Sequence, residues 1–136
     1  MGIRESRRII GEYILTEQDI FDCARFPDAI GVASYPVDLH HPVGGDCTLM
    51  WCPDCYDIPY RCLVPQKIDG LLCAGRNISA THLALASVRV MGPAMCLGEA
   101  AGKAAALCVK EGVQPRGLNV QKLQKALREE GVYFRV

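Results

Sequence analysis

Residues 68–108 read IDGLLCAGRNISATHLALASVRVMGPAMCLGEAAGKAAALC, and the reading of this stretch decides the fold. Asp69-Gly70 opens it as a turn, Leu71-Leu72-Cys73-Ala74 is an apolar run of strand length, and Gly75 lets the backbone turn sharply. The pattern predicts a buried strand over 71–74, a short helix over about 83–90 and a longer helix beginning at Gly92-Pro93. Proline suits that first helical turn because its missing N–H is not needed there. Between 94 and 106 most side chains are Ala, Gly or Cys, and Gly98, Ala101, Gly102 and Ala105 recur at helical spacing. Such a face lets a sheet, a helix or a flat ligand approach the backbone closely. Strand, glycine turn and small-residue helices in immediate succession form a cofactor-facing element.

Working outward, residues 7–15 (RRIIGEYIL) are β-rich and read as a strand. Thr16 then caps a helix over about 17–25, with Asp19 at the third helical position and Leu15 and Ile20 as a hydrophobic staple. That helix stops before Pro27, because the residue ahead of a proline resists helical geometry. Residues 30–39 read as a second extended segment that Pro36 marks as an edge or an interruption. Residues 40–56 look like a long loop, of a length that is usually functional or disordered, and 56–65 (YDIPYRCLVP) is extended. Gly112 ends the long helix, and Asn119 caps a last one with Leu118 and Leu123 as staple. Strands first and three helices last suggest an α+β, or partial α/β, architecture.

The chain has 136 residues, half of them hydrophobic, which is enough for one domain-sized core. Fifteen basic and fifteen acidic residues cancel, so no nucleic acid or anionic membrane surface is expected as main partner. Arg4, Glu5, Arg7 and Arg8 stand where a signal peptide needs an apolar core. No apolar run approaches a membrane span, so a cytoplasmic location is expected. Of the eight cysteines, Cys73, Cys96 and Cys108 occupy apolar positions, where reduced cysteine acts as a small hydrophobe. No Gly-x-Gly occurs in the chain, so it offers neither a dinucleotide-binding βαβ start nor a P-loop.

Four segments, RESRRIIGEYILT (4–16), SYPVDLH (34–40), YDIPYRCLVP (56–65) and the region after Asp69, occur in an order that resembles the C-terminal part of the FAD-dependent oxidoreductases of the two-dinucleotide-binding-domain class. The resemblance implies a fragment of an FAD/NAD(P)-binding Rossmann-like fold whose N-terminal GxGxxG half lies elsewhere. It divides the chain into a substrate- or cap-type β-rich region (1–66, with the Cys-rich loop 40–56) and the C-terminal part of an FAD-binding domain (67–136). It further implies FAD as cofactor, the missing FAD-binding half as partner and a small molecule as substrate. Gly75, Arg76 and Asn77 would sit beside the cofactor, and residues from Gly92 through Met95, Cys96 and Leu97 would turn backbone N–H groups toward the flavin. A helix N-terminus has unpaired donors and a positive dipole end suited to charge on a reduced flavin.

His82 is a candidate proton donor or acceptor by its near-neutral titration, or else a residue packing a helix start. Arg89, in an otherwise apolar helix, needs an anion or solvent: a substrate carboxylate, a cofactor phosphate or a structural ion pair all fit its planar fork. Of Arg4, Arg7 and Arg8, strand alternation would send the last two to opposite faces. Cys47, Cys52, Cys55 and Cys62 have the donor chemistry of a zinc or iron–sulfur site, and Cys52/Cys55 that of a redox dithiol. The adjacent His40 and His41 read as further ligands or as plain loop residues. The competing reading is therefore a small Cys-rich metal-binding or interaction module.

Overall fold

A computed structural model describes residues 5–41 and 45–135. Its first helix, α1 (Glu17–Phe21), is set by its cap: the Thr16 side chain accepts the Asp19 N–H while the Asp19 carboxylate accepts the Thr16 N–H. Leu15 and Ile20 flank this cap and are fully buried. The helix is shorter than expected, because Cys23 enters a left-handed conformation at φ 52° and turns the chain. Four strands follow: β1 (Ala29–Ala33), β2 (Val37–His40), β3 (Cys47–Met50) and β4 (Tyr56–Pro59). Pro36 separates β1 from β2, and each joins a different antiparallel pair, β1 with β4 and β2 with β3. The expected loop 40–56 thus holds a strand, and His40 ends β2 opposite Cys47. Beyond β4 the YRCLVP segment is not extended but a 3₁₀ turn, Tyr60–Cys62.

Two expected strands do not form ladders. Residues 7–15 make only isolated bridges, Gly11 to Pro65 and Leu15 to Ala80, although their backbone bonds to Asn77, Val64, Arg61 and Ser79. Their neighbours are turns, which present donors and acceptors singly and not at the period of a strand. Gly11 is needed at this crossing, since a Cβ there would lie 2.8 Å from the Ser79 Cβ and 2.9 Å from the Arg61 carbonyl. Residues 71–74 have no regular secondary structure and belong to no sheet; the Cys73 N–H donates to the Leu63 carbonyl. The apolar pattern there was sound; the partner strand it needs is absent among the described residues.

The C-terminal helices are α2 (His82–Val88), α3 (Met91–Glu111) and α4 (Val120–Glu129). Thr81 and Asn119 cap α2 and α4 with their side chains, and Gly112 closes α3 at φ 67°. The axis bends by 91° between α2 and α3, and no single helix among the described residues is long and apolar enough to cross a membrane. Leu97, Ala100, Ala104 and Cys108 form the buried face of α3, against β1 and α4. The face Gly98, Ala101, Gly102, Ala105 is therefore not the one in close helix-to-sheet packing; nothing lies within 4 Å of a Cβ built at Gly98 or Gly102. One core joins Ile20, Ile30, Tyr56, Ile58, Leu85, Leu97 and Leu123, each such aliphatic side chain contributing roughly 1.5–3 kcal/mol by leaving water. Gln124 of α4 ties that core to β1, its amide donating to the Pro27 and Ala29 carbonyls at 3.0 and 2.9 Å.

Candidate functional site

The start of α3 is the most chemically pointed feature of the surface. Its N-cap is Val90, which has no side-chain acceptor, and Pro93 has no N–H. The first ladder bond is Ala94 N–H to the Val90 carbonyl at 3.0 Å. The Met91 and Gly92 N–H groups are thus left at the positive end of a 21-residue helix. Beside this helix start lies a groove of about 610 Å³, which Gly92 and Pro93 line together with Val32, Tyr35, Pro36, Leu49, Trp51 and Val90, none of them charged. Gly92 leaves its floor free, with no atom within 4 Å of a Cβ built there. Tyr35 is held from behind by a buried relay, in which the Tyr56 hydroxyl bonds the Ser87 hydroxyl at 2.6 Å and Ser87 in turn donates to the Tyr35 carbonyl. Burial raises the Tyr56 phenol far above its ordinary range, keeping that relay neutral.

Arg89 closes α2 beside this groove, and its guanidinium donates to the Asp38 carbonyl on β2 at 2.7 Å. Asp38 in turn places one carboxylate oxygen 3.0 Å from His40 Nε2, while its other oxygen, Oδ1, is buried without a hydrogen bond. In the β2–β3 register Asp38 faces Leu49 and His40 faces Cys47. Side chains alternate along strands, so Asp38, His40 and the groove-lining Leu49 share one face of the hairpin.

His82 lies at the opposite end of α2, about 10 Å from Arg89 by the helical rise. It is largely exposed, and its Nδ1 is 2.6 Å from the Glu5 carboxylate, which also pairs with Arg8. Arg7 is exposed, and Arg4 lies outside the described residues. Gly75 turns at φ 88°, and Arg76 and Asn77 follow on an exposed turn whose Asn77 carbonyl accepts the Ile9 N–H at 3.0 Å. Of the α3 residues, Met95 is 74% exposed, Cys96 packs its thiol against β1, and Leu97 is fully buried. The N–H groups of Met95, Cys96 and Leu97 fall inside the helix, where the ladder uses them. The candidates thus do not form one cluster: Arg89 stands next to the α3 start, His82 at the other end of α2 against Glu5, and Gly75–Asn77 on a turn tied to Ile9.

The cysteines do not converge on a metal. Cys62 is buried in the core, where desolvation pushes its thiol up to about 12, while Cys47 is exposed on β3 and Cys52 and Cys55 flank a turn. Among the described residues no three His, Cys, Asp or Glu side chains are placed to hold an ion. The sequence reading passed over Tyr35, Asp38 and Trp51. Trp51 is the chain's one tryptophan, and Tyr35 and Asp38 lie within SYPVDLH, but only the fold brings Tyr35 and Trp51 to one groove and sets Asp38 opposite Leu49.

A family model described as FAD dependent oxidoreductase matches residues 1–127. The chain belongs to that family. Comparisons with curated proteins and with solved structures give no match. Membership implies FAD, and the groove has the chemistry for part of it: uncharged aromatic and aliphatic walls for a flat ring and two backbone donors for its polar edge. The chain's residues do not fit the rest of the cofactor equally well, because a pyrophosphate cradle of the Gly-x-Gly type is absent from its sequence.

Proposed function

We propose that this member of the FAD-dependent oxidoreductase family supplies the flavin-ring side of the cofactor site, and that a GxGxxG-bearing βαβ unit completes it. The observation that carries this reading is the start of α3, which has no side-chain cap among the described residues and whose Val90, Gly92 and Pro93 line an uncharged aromatic groove. FAD, when bound, supplies the acceptor for a hydride or for electrons from a small-molecule substrate. The Met91 and Gly92 N–H groups would offset negative charge on the ring's polar edge, Trp51 and Tyr35 would exclude water, and Arg89 would hold β2 in place from behind. His82, with Gly75, Arg76 and Asn77, would border the ring's far side. The adjoining surface supports a Rossmann-like fragment: Leu72, of the unpaired segment 71–74, lines one cavity with Ala101, Gly102 and Ala105 of the open α3 face, and Ile68 and Leu71 are 56% and 40% exposed. An extended edge next to small side chains is where a further strand of a larger sheet would sit.

Co-expression with a GxGxxG unit from the same family tests the reading. The copurified complex is expected to carry flavin absorbance. Gly92→Glu, which sets a carboxylate at the donors without a steric clash, should weaken flavin retention by about 2- to 5-fold and lower its potential, while helix stability is kept or raised. A complex that forms without flavin refutes the proposal.

A further inference from the structure

We infer that the cleft between the 3₁₀ turn Tyr60–Cys62 and the start of α4 is a second ligand site, which takes a small zwitterion of the α-amino-acid class with an apolar side chain. This goes beyond the flavin reading and does not rest on it. The cleft has a volume of about 460 Å³, and its lining combines two carboxylates, two guanidiniums and the apolar side chains of Val64, Leu118 and Val120. Tyr60 adds only its ring, because its buried hydroxyl donates to the Pro115 carbonyl at 3.0 Å.

The ligand class follows from what the four charged groups leave over. Asp28 is occupied by Arg61: its Oδ2 accepts the Arg61 main-chain N–H at 3.2 Å and Nε at 2.9 Å, and its Oδ1 accepts Nη2 at 3.2 Å. The Arg61 guanidinium lies 5.0 Å from the centre of the Tyr13 ring, and its Nη1 makes no hydrogen bond among the described residues. Arg116 is committed to the wall, where Nη2 donates to the Pro65 and Gln66 carbonyls at 2.9 Å each and Nη1 meets Glu12 Oε1. That last contact is an ion pair without hydrogen-bond geometry, so the buried Oε1 stays unsatisfied and the Glu12 carboxylate accepts no hydrogen bond among the described residues. One donor edge and one carboxylate therefore remain. Buried carboxylate oxygens are nearly always hydrogen-bonded, and an ammonium brings three donors to such a group. A guanidinium edge takes a carboxylate in return. The two groups also enter the cleft together: the Glu12 N–H donates to the Val64 carbonyl at 2.9 Å and the Tyr13 N–H to the Arg61 carbonyl at 3.3 Å, which lays residues 12–13 along 61–64. A ligand with both charges on one carbon and an apolar group beyond it matches this layout. A lone anion would meet Glu12 and Asp28, and a lone cation would meet Arg61 and Arg116.

L-Phenylalanine, phenylacetate and phenethylamine share one ring and differ in their charges, so amide NMR titrations of the chain with each decide the inference. L-Phenylalanine is expected to bind with about millimolar affinity and to shift the amides of Tyr60, Leu118 and Val120. Each single-charge analogue should bind at least about 5-fold more weakly. Glu12→Gln, which keeps the shape and removes the charge, should weaken L-phenylalanine by about 3- to 10-fold while phenylacetate binds as well or better. An unchanged urea midpoint in that variant makes the loss one of recognition; if the midpoint falls, the ligand series on the wild type decides alone. Equal binding of L-phenylalanine and either analogue overturns the inference, as do shifts confined to the α3 groove or none at all up to about 50 mM. Full L-phenylalanine affinity in a folded Glu12→Gln overturns it equally.

Discussion

At the residue scale, the tightest approach to a glycine among the described residues is invisible along the chain. A Cβ at Gly31 would lie 2.5 Å from the Cys96 thiol, so β1 and α3 touch only because one position has no side chain. Gly31→Ala is expected to destabilise the fold by about 1–3 kcal/mol in urea titrations, and adding Cys96→Ala should recover part of the loss because the two sites share the clash. Equal losses in the single and double mutants would refute that coupling. A second residue-scale expectation concerns alkali. Desolvation pushes both the Cys62 thiol and the Tyr13 phenol up to about 12, from ordinary values of 9.0 and 10.0, with Asp19 adding to the Tyr13 shift. Groups whose folded pKa is raised add stability that is present below the unfolded value and lost above it. Unfolding free energy should therefore hold to about pH 9 and decline toward pH 12, and a flat profile across that window would refute it. Helix caps, by contrast, were legible. Thr16, Asn119 and Gly112 act over three or four neighbouring residues, so the local sequence contains everything their geometry needs.

Elements built from such local signals came out close to expectation, α1 being the shorter exception, whereas of the expected extended segments 30–39 and 56–65 supplied β1, β2 and β4 and the other two formed no ladder. The helices at 82–88, 91–111 and 120–129 follow their caps and apolar spacing. The extended runs 7–15 and 71–74 have the composition of strands, yet a strand exists only if a distant segment presents a matching ladder, and here turns lie alongside instead. The same contrast fixes what α3 does with its small residues. Ala100 and Ala104 face the core, while Gly98 and Gly102 face open space. Gly98→Ala and Gly102→Ala should each stabilise this chain by about 0.5–1 kcal/mol, read by thermal or urea unfolding, since glycine in an exposed helix loses more backbone freedom than alanine. In the flavin-loaded complex the same two changes are expected to weaken assembly, because added methyl groups would stand where the proposed companion half packs. Stabilisation of the chain without loss of assembly would place the companion elsewhere.

For the whole molecule, the exposure of Ile10, Ile68 and Leu71 around one cavity, with Val109 exposed on α3, carries an expectation of its own. The chain alone should associate as its concentration rises, as light scattering would record, and Leu71→Lys with Val109→Lys should suppress this. A monomer at all concentrations would mean that the face needs no cover. What the sequence by itself determined were the helices and their ends, the apolar positions and, through its ordered motifs, the oxidoreductase family. These depend on neighbouring residues or on patterns that survive being read one dimension at a time. Only the tertiary structure decided that the strands form two separate antiparallel pairs, that the cysteines do not gather, that His82 and Arg89 stand at opposite ends of one helix, and that Tyr35, Leu49, Trp51 and the start of α3 meet around one groove. Each of these joins residues far apart in the chain, and only the packing of a shared core settles which distant surfaces touch.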